Sequence, residues 1–190
     1  MNYKFHLLTG KDRLRPMFQN VFLTREDVVA TDAHVLGRIP TSEIMSEEEA
    51  AKIPDDGILI AAEDWKRLIG ANWIGFDAPG IIRATFAKKT DALISYKLQK
   101  EVGTFPNWKQ VTPQRANIAE INHIGLNASL LHRLHEALTP EAGFLIEFHG
   151  ITRAAIALPI YADRYYNERS EAQSDYLSQP YGLIMPTKVN

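Results

Sequence analysis

The sequence contains no cysteine, and this absence removes several classes of protein at once. Without cysteine a chain has no disulfide, no thiolate nucleophile and no cysteine-ligated zinc or iron–sulfur site. A cysteine-free chain also fits a reducing compartment, and the sequence therefore predicts a cytoplasmic protein.

Long apolar runs and a surplus of positive charge are absent as well. No run reaches the roughly 18 apolar residues of a membrane span, and the apolar run near the first residue is too short for a signal peptide. The formal net charge of -2 argues against coating nucleic acid by bulk attraction, although it leaves a locally basic face open. With 190 residues, of which 45% are hydrophobic and 23% charged, the chain has the composition of an ordinary folded protein.

Short β-branched or alternating runs predict that strands dominate the fold. The predicted strands are 3–8, 17–23, 27–31, 58–60, 81–87, 92–98, 144–148, 154–158 and 182–185. Ser46 and Glu49 match a capping box and predict a short surface helix. Two amphipathic helices are predicted over 61–70 and 127–138, the second with Asn127 as its N-cap.

The two amphipathic helices belong to a weak internal repeat. Residues 58–69 and 124–135 align without gaps, and each segment is followed by two strand-like runs. Chance similarity of short amphipathic segments is the alternative, but the repeated order of elements favours a strand–helix–strand–strand unit. After the second unit, the Tyr-rich passage 160–180 is too long for an ordinary connection and predicts a functional loop or a surface insertion.

Three segments resemble a known family. ATDAHVL (30–36), FPNWKQVTP (105–113) and YGLIMP (181–186) resemble, in this order, the ATDGHRL, FPDYRRVLP and YVVMPM segments of the bacterial sliding clamp, the beta subunit of DNA polymerase III. The resemblance extends from about Arg13 to Lys188, over about half the family's length. It implies an α+β, DNA-clamp-like fold in a single domain, with antiparallel sheets and two amphipathic helices on one side. The two related halves are about 1–112 and 113–190, and 160–180 is an insertion.

The resemblance also implies a binding pocket for short linear peptides of polymerase and clamp-loader proteins. The implied pocket residues are Thr31, His34, Val35, Leu36, Pro106, Gln110, Val111, Leu183, Met185 and Pro186. Ala33 stands where the family has Gly, and Val35 and Gln110 stand where it has Arg. The alternative from the residues alone is that Val35 and Leu36 are core strand residues, while Asp32 and His34 hold a turn through side-chain hydrogen bonds.

Clamps of this family enclose double-stranded DNA without reading its bases. The resemblance places Lys66, Arg67, His132 and Arg133 on the helix faces that would meet DNA. An ion pair between Glu63 and Arg67, which are four residues apart, explains part of this pattern equally well. The sequence leaves the oligomeric state open: a ring requires several copies joined through edge strands, whereas a monomer would recruit or compete for replication proteins.

The resemblance implies a non-catalytic protein with no cofactor, no metal and no membrane partner. The alternative function is that of a small hydrolase or metal-dependent enzyme that uses His34 or the pair His132 and His135. In this pair the histidines are three residues apart, whereas the zinc-binding HExxH motif has them four apart around a glutamate. Asp32 and His34 lack both a nucleophile and a third orienting group.

Overall fold

A computed structural model describes residues 1–114, 120–121, 124–141, 143–160 and 179–187 of the chain. The strands in these ranges are β1 (Asn20–Leu23), β2 (Asp27–Thr31), β3 (Val35–Pro40), β4 (Ile58–Ala61), β5 (Trp73–Ala78), β6 (Ile81–Thr85), β7 (Ala92–Ser95), β8 (Lys97–Leu98), β9 (Phe144–Glu147), β10 (Ala155–Pro159) and β11 (Tyr181–Ile184). The α-helices are α1 (Glu47–Ala50), α2 (Ala62–Leu68), α3 (Gln99–Val102) and α4 (Ala128–Leu138). Four 3-10 helices cover Phe5–Leu7, Pro16–Gln19, Thr41–Glu43 and Trp108–Gln110.

The strands form two antiparallel sheets. The large sheet has the order β8-β4-β1-β2-β3-β11-β10-β9, and the small sheet has the order β5-β6-β7. Pairing between β3 and β11, with Val35 opposite Ile184 and Arg38 opposite Tyr181, joins the two halves of the chain into the large sheet. The predicted α+β class with antiparallel sheets is therefore confirmed.

Two glycines face each other at the junction between β3 and β11. Gly37 pairs with Gly182. A Cβ atom on Gly182 would lie 2.2 Å from Leu134 of α4, and one on Gly37 would lie 2.4 Å from Leu8. Helix α4 and the N-terminal segment thus pack directly on the backbone of the sheet, which no larger residue at these two positions would allow.

The large sheet is buried on both faces, because successive side chains of a strand point to opposite sides. On one face its strands pack against α2 and α4. The side chains between them, which we call the helix-side core, include Val21, Leu23, Val28, Val35, Ile39, Ile58, Ile60, Trp65, Leu68, Leu134 and Leu138. On the other face lies a second core of Phe22, Val29, Leu36, Leu59, Phe105, Trp108, Ile156, Leu158, Tyr181 and Leu183. Both amphipathic helices therefore lie on one side of the sheet.

The predicted strand at 3–8 is wrong, because this segment contains the 3-10 helix Phe5–Leu7 between α2 and α4. The backbone N–H of Lys4 donates to the Ala137 carbonyl at 2.9 Å, and the Trp65 indole donates to the Tyr3 carbonyl at 2.9 Å. Its polar backbone groups thus bond to helices instead of to a neighbouring strand.

Two strands are missing from the predicted set, and both have glycine and charged residues that interrupt the apolar pattern. Strand β3 contains Gly37 and Arg38, and β5 contains Gly75 and Asp77. The predicted strand 17–23 begins instead as the 3-10 helix Pro16–Gln19 and becomes β1 only afterwards.

The predicted helices and the Asn127 cap are confirmed, but only the Ser46 half of the predicted capping box forms, because the Glu49 carboxylate binds the Phe76 N–H and Lys52 instead of the Ser46 N–H. Asn127 Oδ1 accepts from the Ser129 N–H at 2.9 Å, and Ser46 Oγ accepts from the Glu49 N–H at 3.4 Å. In the described ranges no helix has the length and apolar character needed to cross a bilayer. Of the predicted insertion 160–180, residues 161–178 lie outside the described residues.

Candidate functional site

The turn between β2 and β3 is closed by the side chains of the TDAH segment. Asp32 Oδ1 accepts from the backbone N–H groups of His34 at 2.9 Å and Val35 at 3.0 Å. Thr31 Oγ1 donates to the Val35 carbonyl at 2.8 Å and accepts from the Ala33 N–H at 3.0 Å. Ala33 has a φ of 78°, a left-handed conformation that favours glycine. This turn leaves the His34 side chain exposed.

A row of three predicted pocket residues crosses adjacent strands on one face of the large sheet. Leu36 of β3 lies opposite Thr31 of β2 on one side and opposite Leu183 of β11 on the other. All three side chains are buried, and Leu36 and Leu183 belong to the second core with Trp108. Val35 is the exception, because it points to the opposite face, where it is buried in the helix-side core. Its assignment to the pocket was therefore wrong.

At the end of β11 the chain continues beside the turn. The backbone N–H of Met185 donates to the His34 carbonyl at 3.0 Å. Met185 is 41% exposed, and Pro186 is partly exposed. The structure therefore brings an exposed imidazole and a flexible apolar side chain to the same end of the row.

The other end of β11 contacts residues 105–112, which we call the Trp108 segment and which contain the remaining predicted pocket residues. Trp108 packs against Tyr181 with ring centroids 6.4 Å apart, and Thr112 Oγ1 lies 3.1 Å from the Tyr181 hydroxyl. Next to Trp108 and Thr112, Val111 is 58% exposed, and Pro106 and Gln110 are exposed as well. The four residue steps from Tyr181 to Met185 along the strand span about 13 Å.

An ion-pair network with a buried centre, Arg38 and Asp27, and an exposed outer part, Lys109 and Glu26, anchors the Trp108 segment to the large sheet. Arg38 Nε donates to Asp27 Oδ1 at 2.7 Å, and Arg38 Nη1 donates to the Gln179 carbonyl at 2.9 Å. Lys109 Nζ lies 3.3 Å from Asp27 Oδ2 and 3.2 Å from Glu26 Oε2. Burial opposes the charge of Lys109, but Asp27 and Glu26 outweigh it and raise the pKa of this ammonium group. Sequence reasoning missed these residues, although an arginine within the strand-like run VLGRI is a signal of a buried partner.

The predicted DNA-facing cations are mostly held in ion pairs. Lys66 Nζ lies 2.7 Å from Glu63 Oε1, and Arg67 Nη1 lies 3.0 Å from Asp64 Oδ1. The alternative of intrahelical ion pairs is thus realised with other partners than Glu63 and Arg67, because Glu63 pairs with Lys66 and Arg67 pairs with Asp64. His132 is exposed on α4.

Arg133, the fourth predicted cation, connects α4 to the first half of the chain. Its Nη1 lies 2.7 Å from Asp32 Oδ2, and its Nε donates to the Leu7 carbonyl at 2.9 Å. Asp32 thus holds the β2–β3 turn with one oxygen and α4 with the other. Arg133 has a structural role that the sequence did not indicate.

A cleft of about 1320 Å³ lies beside α2, α4 and the turn, and it is lined by Lys66, Arg133 and His34. The same cleft is lined by three cations from the loop before the 3-10 helix Pro16–Gln19, namely Lys11, Arg13 and Arg15. Five basic side chains therefore face three carboxylates there, on a chain whose net charge is -2. Sequence reasoning passed over the KDRLR segment (11–15), whose three closely spaced cations were the available signal.

A second, smaller cleft of about 430 Å³ lies beside the first part of the Trp108 segment and is lined by Phe105, Pro106 and Lys109.

Across the described part of the chain, no group of three or more His, Asp or Glu side chains has a geometry that could hold a metal ion. The His132 and His135 pair thus has no third ligand within that part, and the His135 ring packs edge-on against Phe144.

Comparison with known proteins identifies the fold. No protein-family model matches the sequence, and no curated protein sequence matches it either. Among solved structures, the DNA polymerase III subunit beta of Pseudomonas aeruginosa is 14% identical with a TM-score of 0.57, and the match covers 99% of this chain and 62% of that one. The subunit from Borrelia burgdorferi, in complex with a natural product, is 10% identical with a TM-score of 0.58, with coverage of 97% and 59%.

A sliding clamp from Bartonella birtlesii bound to griselimycin is 13% identical with a TM-score of 0.57, and the match covers 98% of this chain and 64% of that clamp. The chain thus spans about three fifths of the length of the clamps that it matches, somewhat more than the half expected from sequence. This chain therefore has the fold of DNA polymerase III beta sliding clamps, at a sequence identity of only 10% to 14%.

Proposed function

We propose that this chain is a clamp-like accessory protein of DNA replication or repair that binds short linear peptides of polymerase or clamp-loader proteins. The observation that carries the proposal is the convergence of three segments distant in sequence. The β2–β3 turn, the Trp108 segment and the end of β11 meet on one face of the large sheet. We call the surface that runs from Val111 past the row of Thr31, Leu36 and Leu183 to Met185 the strip. We propose further that the chain acts as a single domain, without catalysis or a cofactor, in the cytoplasm.

The strip has the chemistry that an extended peptide needs. Leu36 and Leu183 are buried in the second core beneath the strip, while Val111 and Met185 are exposed at its two ends and can receive aliphatic or aromatic anchors. Methionine suits this role because its flexible thioether adapts to different partners. His34 and Gln110 supply polar groups that orient the peptide backbone.

We also propose that the chain associates with double-stranded DNA without sequence specificity. The support is the cationic cleft beside α2 and α4, to which Lys66 and Arg133 contribute, together with Arg67 and His132 on the same helices. Because most of these cations already have carboxylate partners, the expected binding is weak and strongly salt-dependent.

The test of peptide binding is a fluorescence anisotropy titration with a labelled clamp-binding peptide. We expect saturable binding to the unaltered chain and at least about tenfold weaker binding to the Met185→Ala, His34→Ala double variant, because truncating two side chains that contact the peptide costs about 1.4 kcal/mol or more. Ile151→Ala, which removes an exposed apolar side chain outside the strip, is the control, and we expect it to leave the affinity unchanged. Griselimycin, bound by the Bartonella birtlesii clamp, is a second probe.

Two outcomes would overturn the peptide proposal: absence of binding to the folded, unaltered chain, or equal affinity of the double variant. Circular dichroism on the same samples shows that the double variant is folded. The mass in solution, recorded in parallel, distinguishes a closed multimer from a monomer that recruits or competes for replication proteins.

A further inference from the structure

The small sheet has two outer edges, and a charged side chain binds a backbone group on each. Among the described residues no strand pairs with the outer edge of β5 or with that of β7. An open edge presents unpaired N–H and C=O groups that can pair with a strand of another chain. A side chain that binds those backbone groups therefore affects whether the sheet can pair with another chain.

On the β5 edge the occupant is Glu49 of α1. Its Oε2 accepts from the backbone N–H of Phe76 at 2.7 Å, and its other oxygen, Oε1, pairs with Lys52. Glu49 is only 8% exposed. A Cβ atom on Gly75 would lie 2.6 Å from Oε2, so the carboxylate can reach the strand only because this neighbour is glycine.

On the β7 edge the occupant is Arg67 of α2. Its Nη2 donates to the backbone carbonyl of Leu93 at 3.0 Å, while its Nη1 is held by Asp64. Leu93 lies in the middle of β7 and its side chain is 50% exposed. Arg67 therefore blocks the hydrogen-bonding group at the point where an added strand would also bury an apolar side chain.

The order of strands in the structure shows which position β7 occupies. Three strands follow each amphipathic helix, β5, β6 and β7 after α2 and β9, β10 and β11 after α4, so that β7 holds the same place in this order as β11. Strand β11 pairs antiparallel with β3 from the other half of the chain, whereas β7 has no strand on its outer side within the described ranges. A second copy of the chain supplies an identical β7, and antiparallel pairing about a two-fold axis is self-complementary.

We propose that Arg67 and Glu49 are edge caps, which prevent the small sheet from pairing with the small sheet of a second copy of this chain. The caps replace strand-to-strand hydrogen bonds by bonds to side chains of the same molecule. Arg67 thus acts chiefly on self-association, and its removal opens a strand-pairing site without disturbing the core, since its side chain is 52% exposed.

Sedimentation equilibrium over a wide range of protein concentrations tests the proposal. We expect Arg67→Ala to lower the dissociation constant for self-association at least tenfold, while Lys66→Ala, the neighbouring cation with an equivalent ion pair, leaves it unchanged. The Arg67→Ala, Leu93→Lys double variant should return to the original constant, because a charge on an edge strand opposes pairing. Equal self-association of Arg67→Ala and Lys66→Ala, or persistence in the double variant, would overturn the assignment of β7.

Hydrogen exchange tests the second cap independently. The Phe76 amide should exchange at least tenfold faster in Glu49→Ala than in Glu48→Ala, whose side chain is exposed on the same helix. Unchanged protection of Phe76 would show that Glu49 does not cap β5. Amides of the buried strand β1 serve as the reference, since their exchange rises as well only if the whole fold is destabilised.

Discussion

At the scale of single residues, Asp32 illustrates how one side chain combines a local and a long-range role. One oxygen accepts two backbone N–H groups of its own turn, and the other pairs with Arg133, which is 101 positions away in the sequence. The first role could be predicted, because Asp commonly bonds to backbone groups two or three residues ahead. The second could not, since nothing in the local sequence indicates which distant cation folds back onto the turn.

The orientation of Val35 and Leu36 shows the same limit. Neighbouring residues of a strand face opposite sides, so that only one of them can line a surface on a given face. The resemblance to clamps assigned both to the pocket, but without the position of the helices the sequence does not say which side each residue occupies.

Ala33 has a left-handed backbone conformation, with a φ of 78°. Replacing Ala33 by Gly should raise the free energy of unfolding by about 1 kcal/mol, because a left-handed backbone costs a residue with a Cβ atom about 1–2 kcal/mol and glycine's unfolded-state entropy offsets part of this. Urea unfolding at neutral pH measures the change. Ala30→Gly, in the extended strand β2, is the control and should lower the same free energy. A decrease with Ala33→Gly would show that the turn does not strain this residue.

At the scale of elements, helices were predicted better than strands. The periodic leucines of α4 and the Asn127 cap are local signals, and both are present in the structure. Segment 3–8 has the composition of a strand, yet it packs between α2 and α4, since tertiary contacts to Ala137 and Trp65 satisfy its backbone. Strands β3 and β5 were missed because Gly37 and Gly75 are needed for close packing and break the apolar pattern.

Helix α1 contains Glu49, a carboxylate whose ionisation makes the stability of the fold depend on pH. Burial alone would raise the pKa of Glu49, but hydrogen bonds from Lys52 and from the Phe76 amide outweigh it and lower the pKa below the ordinary value of 4.5. A carboxyl whose pKa is lower in the folded state contributes stability above its unfolded pKa. That contribution is lost as the pH falls from about 4.5 through the folded-state pKa.

Urea unfolding of the unaltered chain and of Glu49→Gln between pH 7 and pH 3 measures this contribution. The difference in unfolding free energy should be constant above about pH 5 and should shrink as the solution is acidified. Glu48→Gln on the exposed side of α1 is the control for the loss of one carboxylate from this helix. A difference between the unaltered chain and Glu49→Gln that is independent of pH would contradict the role assigned to the ionised carboxylate.

At the scale of the whole molecule, the two halves are joined through one sheet and one helix contact. Strand β3 pairs with β11, and Arg133 of α4 binds both Asp32 and the Leu7 carbonyl. The resemblance of three short segments predicted this overall fold, because those segments recur in the same order as in clamps. It did not predict the clefts, which are lined by residues from several loops.

Arg133→Ala should therefore lower the free energy of unfolding by about 1–2 kcal/mol, since hydrogen bonds to charged groups contribute about 1.5–3 kcal/mol and partial exposure weakens them. His132→Ala, on the exposed side of the same helix, should change it by less than about 0.5 kcal/mol. Urea unfolding of both variants distinguishes a structural role of Arg133 from a role confined to DNA contact. Equal stability of the two variants would contradict the structural role.

Amide hydrogen exchange with and without a saturating clamp-binding peptide tests whether the strip between Val111 and Met185 binds an extended peptide. We expect slower exchange confined to the β2–β3 turn, residues 105–112 and residues 183–187, with β6 unaffected. Protection concentrated elsewhere, or none at a peptide concentration that saturates the anisotropy signal, would rule out peptide binding at this strip.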